Sequence, residues 1–453
     1  MTLCIAPLAL AQNCGSGGGA TVCLSATGSA SDIQLTWTVS GNISSVQIYR
    51  DTDSNPSGRI RVATPTVGTR SYSDSSAVAG TQYWYWVKFT ASGSSYNSGA
   101  ATAVRASGMR NITSLQLAPQ MSPGWNLGNS LEAIGGETAW GNPAVNQAMF
   151  NAVKAAGFKS VRIPVSWTQY ADSNYTISAS WMARVKQVVD YARNAGLYVM
   201  INVHWDGGWM QPTYAQQTSA NNRLRTFWTQ IANTFKGYDD YLLFAGTNET
   251  MVDGNYGAPT SEYCSVQNSF LKTFVDAVRA TGGNNAVRHL VVQGFNTNID
   301  YTIGCNATLP ADKVANRLMM EVHFYDPYNF TLNTNSSIWQ WGATATSPAN
   351  TETWANEAFV DAQFQKMKTN FIDKGIPVIL GEYAASAKFE YDPSGNYRKK
   401  WDQYITRSAY LHGLVPVYWD AGFTGNHGSG LFERSSATQA YPDIISVIVN
   451  AAK

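Results

Sequence analysis

Two textures of apolar and polar residues divide the chain. Between Ile33 and Ala106 the apolar positions alternate over short runs. Ile33, Leu35, Trp37 and Val39 fall on one face of a strand, as do Val46 and Ile48, with Arg50 at that strand's end. In the run 81–90, period two sets Trp84 and Trp86 apart from Tyr83, Tyr85 and Val87. One set fills a core. The other is left to stack on glycan or to pack in a spacer or docking module. The segment 99–106 closes the module, and the turns SGN, SNPSG, AGT and SGSS separate the strands. This spacing predicts a small all-β sandwich over 31–107.

From about Asn111 the apolar runs are continuous, as in parallel strands buried on both faces. Eight occur, at 124–129, 160–167, 198–205, 241–249, 289–295, 318–326, 377–383 and 415–422. Helical spacing separates most of them, at 181–196, 269–283 and 358–375. This alternation predicts a (β/α)8 barrel over 108–453. The long stretch 329–353 is expected to be its largest loop, with Trp339 and Trp341 in it and Trp354 just beyond.

Composition narrows the function. Across 453 residues there are 31 Lys and Arg against 30 Asp and Glu, a net charge of +1. No basic excess is available to hold a phosphate backbone, so nucleic acid is not expected as a partner. Charged residues make up only 13%, while 15 Trp and 24 Tyr favour stacking on neutral polyols. Residues 1–11 end in Ala9-Leu10-Ala11 and read as the remnant of a signal peptide. No apolar run reaches membrane-spanning length, so a secreted protein is expected. Residues 12–30, rich in Gly and Ser, read as a flexible lead-in. Cys4 would leave with the signal. The other four cysteines are expected to pair as Cys14–Cys23 and Cys264–Cys305, one bridge per domain.

Barrel active sites lie at the C-terminal ends of the strands. There the runs end in Asn126 and Asn129, Arg162, His204 with Asp206, Asn248 with Glu249, His323 with Tyr325, Glu382 and Trp419. Glu249 ends the fourth run and Glu382 the seventh, so their carboxylates can meet over the axis. About 5–5.5 Å between them suits retaining glycoside hydrolysis. Repulsion between them is expected to raise the pKa of the acid, and a nearby cation to keep the nucleophile ionised.

The stretch SYSDSSAVAGTQYWYWVKF resembles a strand and turn of fibronectin type III modules. From about 115 to 450, the motifs GWNLGNSLEA, ETAWGNP, VRIPVSW, INVHWDGGW, GTNET, EVHFYDPYNF, ILGEY and VYWDAG resemble, in order, glycoside hydrolase family 5. The opening motifs are similar to its bacterial endo-β-1,4-glucanase branch. The resemblance implies Glu249 as general acid/base and Glu382 as nucleophile. It implies Asn248 on the sugar 2-hydroxyl, Arg162 and Tyr325 on the nucleophile, and His204 and His323 on hydroxyls and carboxylates. Trp419 would floor the same sugar, with a cis peptide just after it. Thr250 stands where the family usually has proline, which implies a small shift of the loop rather than lost chemistry. Asn126, Trp140 and Trp209 are further substrate-contact candidates, with Trp205 and Trp341 behind them. Trp167, Trp181 and Trp228 are expected to pack.

The implied substrate is a cellulose-type β-1,4-glucan, with xyloglucan, mixed-linkage glucan and glucomannan as alternatives. A monomer without cofactor is expected. A metal hydrolase using His204, Asp206, His323 and Asp326 is disfavoured, because the first strand carries no His-x-His pair. A non-catalytic glycan-binding protein is the remaining rival.

Overall fold

The computed structural model describes residues 13–29, 32–78, 81–105 and 108–453. The expected signal remnant at 1–11 lies outside them. The chain divides into two units near Gly108.

The first unit is a sandwich. One sheet runs β1 (Asn13–Gly17), β2 (Ala20–Gly28), β3 (Ile33–Ser40) and β6 (Ser71–Asp74). The other runs β5 (Ile60–Ala63), β4 (Ser45–Asp51), β7 (Gln82–Ala91) and β8 (Ser94–Asn97), with β9 (Ala101–Val104) also on β7. Ile33, Leu35, Trp37, Val46, Ile48, Tyr83, Tyr85, Val87 and Phe89 fill the space between them. Tyr85 donates to the buried Asp74, which also pairs with Arg50 at 2.8 Å. Trp86, on the other face, lies beneath the Arg59 guanidinium.

The expected lead-in at 12–30 is not one. Asn13–Gly28 supplies two strands, and Cys14 bonds to Cys23 directly opposite it. Small residues here serve close approach rather than flexibility: a Cβ on Gly15 or Gly28 would collide with the Asn97 or Val104 carbonyl.

In the second unit all eight apolar runs become strands of a closed parallel barrel. They are β10 (Gly124–Leu127), β11 (Ser160–Ile163), β12 (Tyr198–Asn202), β13 (Leu242–Ala245), β14 (Leu290–Gln293), β15 (Leu318–His323), β16 (Val378–Glu382) and β17 (Val415–Asp420). The helices expected at 181–196, 269–283 and 358–375 form as Ala179–Asn194, Ser261–Ala280 and Glu357–Asn370. Cys264 on the second of these bonds to Cys305.

The interior changes character along the axis. Tyr198, Met200, Leu243, Ala245, Val291, Met319 and Ile379 pack against Leu117, Ala118 and Met121, which plug the N-terminal end. A Thr113–Gln116 capping box starts that plug. One pleat further along the same strands, the inward positions are Asn126, Arg162, Asn202, Gln293 and Glu321. All of them are buried and polar.

Trp167, Trp181 and Trp228 are buried as expected. Trp341 is also buried, with its indole donating to the Ala355 carbonyl at 2.6 Å, so it belongs to loop packing rather than to substrate. The cis bond implied after Trp419 is absent. Among the described residues the cis bonds are Ser122–Pro123 and Asp326–Pro327. β17 instead continues through Asp420, whose carboxylate takes the Trp125 indole at 2.9 Å and the Leu431 amide at 2.9 Å.

Candidate active site

A β-bulge aims Glu382. Along β16, Ile379 and Gly381 take the inward positions, which would turn Glu382 outward. The β15–β16 register shifts after Val322, so that Glu382 lies opposite His323. A bulge re-aims a side chain in this way. Gly381 leaves the space that Glu321 occupies, since a Cβ there would strike the Glu321 carboxylate. Gly381→Ala is therefore expected to cost at least tenfold in kcat with the barrel still folded, as checked by kinetics alongside circular dichroism.

Arg162 is the hub. Its fully buried guanidinium lies 2.8 Å from Glu321 and 2.8 Å from Glu382. It also donates to Asn248 Oδ1 at 2.7 Å and to Asn126 Oδ1 at 3.1 Å. The bond to Asn248 consumes the amide oxygen and leaves the NH2 group free to face a ligand. Glu382 takes a second donor, the Tyr325 hydroxyl, at 3.0 Å. Burial and the neighbouring Glu382 push that phenol well above its ordinary pKa, so it remains a donor.

His323 joins all three carboxylates. Nδ1 lies 2.7 Å from Glu249 and 3.7 Å from Glu382, and Nε2 lies 3.2 Å from Glu321. Burial opposes its charge. The charge of Glu382 and the hydrogen bonds to Glu249 and Glu321 overcome this and lift its pKa to about 9. His204 behaves oppositely: burial, then the charges of Arg162 and His323, drive it well below 6.5. It is neutral and accepts from Asn202 at Nδ1, 3.1 Å away, which leaves the proton on Nε2. Its ring stacks on Trp419 at 6.0 Å between centroids.

One oxygen each of Glu249 and Glu382 lies within 4.8 Å of the other, with a His323 ring nitrogen within the same distance of both. Glu382 is buried, whereas the Glu249 side chain is 41% exposed to the cleft. The expected order of their pKa values is reversed in the free site. Burial raises Glu382, and Arg162 and His323 offset this only in part. For Glu249 burial acts upward too, but the His323 hydrogen bond and charge bring it below the usual carboxylate value. Repulsion between the pair is weaker than the imidazolium that Glu249 accepts from.

Sequence reasoning missed the carboxylate beneath the pair. Glu321 is fully buried and held at about 2, because the Arg162 charge and the bonds from His323 and Gln293 outweigh burial. Gln293 donates to it at 2.6 Å and is itself fixed by the amide and hydroxyl of Thr247. The signal was present: a lone Glu within the apolar run LMMEVH must be paired.

The remaining candidates divide. Asn126 is fully buried, and its amide donates to the carbonyls of Gly381, Val417 and Tyr418. It positions Arg162 and β16 rather than touching sugar. Trp209 lines the cleft, packed on Phe227 and under Arg223. Trp205, 52% exposed, lines the same cleft. Trp140 stands on the rim after β10, 47% exposed. Asp206 is not free to bind metal with His204, since it takes the Trp167 and Thr168 amides at 3.0 and 2.8 Å. Thr250 is buried against Met210, and its carbonyl accepts the Asn296 amide at 3.0 Å. The loop is thus anchored without proline.

A closed barrel with two carboxylates this close over its C-terminal mouth is the arrangement of a retaining glycoside hydrolase. Residues 126–425 match the model of "Cellulase (glycosyl hydrolase family 5)", and the chain belongs to that family. It is 43% identical to an endoglucanase A of Paenibacillus barcinonensis over 373 residues, covering 78% of this chain and 93% of that one. It is 41% identical to a xyloglucan-specific endo-β-1,4-glucanase of Bacteroides ovatus, covering 73% and 68%. Among solved structures, a family 5 xyloglucanase from Paenibacillus pabuli matches at 44% identity and a TM-score of 0.71, over 74% of this chain and 99% of that one. A Bacteroides ovatus xyloglucanase bound to a XXXG heptasaccharide matches over 98% and 100%, with 32% identity and a TM-score of 0.73. The protein is an endo-acting glycoside hydrolase of β-glucans.

Proposed function

We propose that the enzyme cleaves internal β-1,4-glucosidic bonds by double displacement, with Glu382 as nucleophile and Glu249 as general acid/base. The observation that carries this is the approach of the two carboxylates to within 4.8 Å, with Glu382 fixed by Arg162 and Tyr325. Glu382 attacks the anomeric carbon while Glu249 delivers a proton to the leaving oxygen. Glu249 faces the cleft, where that oxygen arrives. His323 and Glu249 hold the proton between them at 2.7 Å, so its donation leaves neither group far from its partner. Water, deprotonated by Glu249, then releases the sugar from Glu382. The Asn248 amide, oriented by Arg162, meets the 2-hydroxyl, and Trp419 and the His204 Nε2 proton face the same ring.

The pair of pKa directions sets the pH profile. Glu382 must be ionised and is raised, so the acid limb of kcat/KM is expected above the ordinary glutamate range. The His323–Glu249 proton must be present, so the alkaline limb is expected near 9. Stability follows the same signs. The contribution from charged His323 is complete below about 6.5 and is lost as pH rises through about 9. The Glu321 contribution is present above about 4.5 and is lost as pH falls towards about 2. Replacing His323 with Gln is expected to remove the alkaline limb near 9.

The backbone specificity is for β-1,4-glucan, as the names of the relatives indicate. Secretion is supported by the two disulfides and by the absence, among the described residues, of a helix able to cross a membrane. The sandwich at the N-terminus is a separate module, ending near residue 107. Reducing-sugar release from carboxymethylcellulose, barley β-glucan, xyloglucan and glucomannan tests the assignment. Cleavage of at least one glucan is expected. A folded protein that cleaves none would support a binding role instead.

A further inference from the structure

Every side-chain partner of the buried Glu321 carboxylate is a donor. One oxygen faces the Arg162 guanidinium at 2.8 Å and His323 Nε2 at 3.2 Å. The other takes the Gln293 NH2 group at 2.6 Å. Gln293 cannot turn round, because its own oxygen accepts the amide and hydroxyl of Thr247 at 2.8 and 3.0 Å. Glu321 therefore has no proton to give and only accepts.

This fixes one of the two protons of His323. A neutral imidazole keeps a single proton, and the partner of each nitrogen decides which one holds it. Nε2 faces Glu321, which is locked, and Nδ1 faces Glu249 at 2.7 Å. Glu249 opens onto the cleft and exchanges a proton in each half of the reaction. The other groups around the ring do not set this direction. Glu382 on β16 lies on the Nδ1 side at 3.7 Å, and Arg162 on β11 has only donors. His204 after β12 is neutral and stacks on Trp419, and Tyr325 beyond β15 donates to Glu382.

We propose that Glu321 is a positioning residue for the proton transfer: by accepting the Nε2 proton of His323, it keeps Nδ1 as the atom that lends a proton to Glu249 and takes it back. The proposal rests on the double-displacement reading of the same site. In the first half the Nδ1 proton passes to Glu249 and on to the leaving oxygen, and the imidazole is left neutral with its Nε2 proton on Glu321. In the second half water gives a proton to Glu249 as its oxygen displaces Glu382 from the anomeric carbon, and that proton returns to Nδ1. An anion behind an imidazole holds the tautomer in the same way in acyl-transfer triads.

Two variants separate the acceptor from the charge. Glu321→Met removes both. Glu321→Gln removes the charge but keeps an oxygen, which the Arg162 guanidinium holds towards His323. The first readout is kcat/KM, which reports formation of the glycosyl-enzyme, on a glucan and on an activated aryl cellobioside. The methionine variant is expected to lose about 10²-fold on glucan and less than about tenfold on the aryl substrate, whose leaving group needs no proton. The glutamine variant should recover most of the glucan loss, with its alkaline limb moved down from near 9 by about one unit or more. The second readout is independent of turnover: the tautomer of His323 at about pH 10, from ¹⁵N-labelled histidine assigned by loss of the signal in His323→Gln. Wild type and the glutamine variant should carry the neutral proton on Nε2, and the methionine variant on Nδ1. Equal losses on the two substrates, an unmoved alkaline limb in the glutamine variant, or a wild-type proton on Nδ1 overturns the role of Glu321 and leaves the glucanase assignment standing. Folded wild type that cleaves no glucan overturns the double-displacement reading itself.

Discussion

Replacing Glu382 with glutamine is expected to lower kcat by about 10⁴-fold or more on every glucan the enzyme cleaves. The amide keeps the shape and can still take the Arg162 donor through its oxygen, while its NH2 group donates to the Tyr325 hydroxyl that had donated to the second carboxylate oxygen. It cannot attack the anomeric carbon, so no intermediate forms. Glu249→Ala gives a different pattern. It should lose about 10²- to 10⁴-fold on glucans, and much less on aryl cellobiosides, whose leaving group needs no proton. Measuring both variants on both substrate types separates the roles: only the acid/base variant recovers with an activated leaving group. Equal losses on the two substrates for both variants would contradict the division of labour.

The second large effect lies beneath the reacting atoms. Arg162→Met removes the cation shared by Glu321 and Glu382, both buried. Breaking a buried pair from one side costs about 3–5 kcal/mol, because a desolvated charge is left behind. The carboxylates then take up protons, Glu321 loses its place near 2, and Asn248 loses the donor that orients it. A reduced urea midpoint, with stability falling further as pH rises through the carboxylate range, is expected together with near-complete loss of activity. Arg162→Lys keeps the charge but cannot fork across Glu321, Glu382, Asn248 and Asn126, so it should restore more stability than activity. A methionine variant as stable as wild type would contradict the hub role.

Much of this was legible from the pattern of residues. Parallel strands buried on both faces leave continuous apolar runs, and all eight were readable. Polar residues ending those runs marked Arg162, His204, Asn248, Glu249, His323, Tyr325, Glu382 and Trp419, and the structure gathers them around one cleft. What failed has a common cause: residue type did not reveal which way the backbone turned. Asn126 ends its run like the others but points beneath Arg162, where its amide is consumed. Glu382 points inward only because the register slips by one residue. Asn13–Gly28 looked flexible because its small residues suit both a linker and two closely approaching sheets, and only the collision at Gly15 and Gly28 distinguishes them. The pKa order was misjudged because the proximity of two carboxylates was readable and the hydrogen bond from His323 to one of them was not.

The central claim, a glycosyl-enzyme formed on Glu382, is tested most directly by trapping it. The enzyme is incubated with a 2-deoxy-2-fluoro-β-cellobioside carrying an activated leaving group, then analysed by intact mass and peptide mapping. The activated leaving group is released, and one added 2-deoxy-2-fluorocellobiosyl group, located on the peptide at Glu382, is the expected result, with turnover resuming once an acceptor glucan is added. Inactivation without a covalent adduct, or an adduct on any residue other than Glu382, would contradict it.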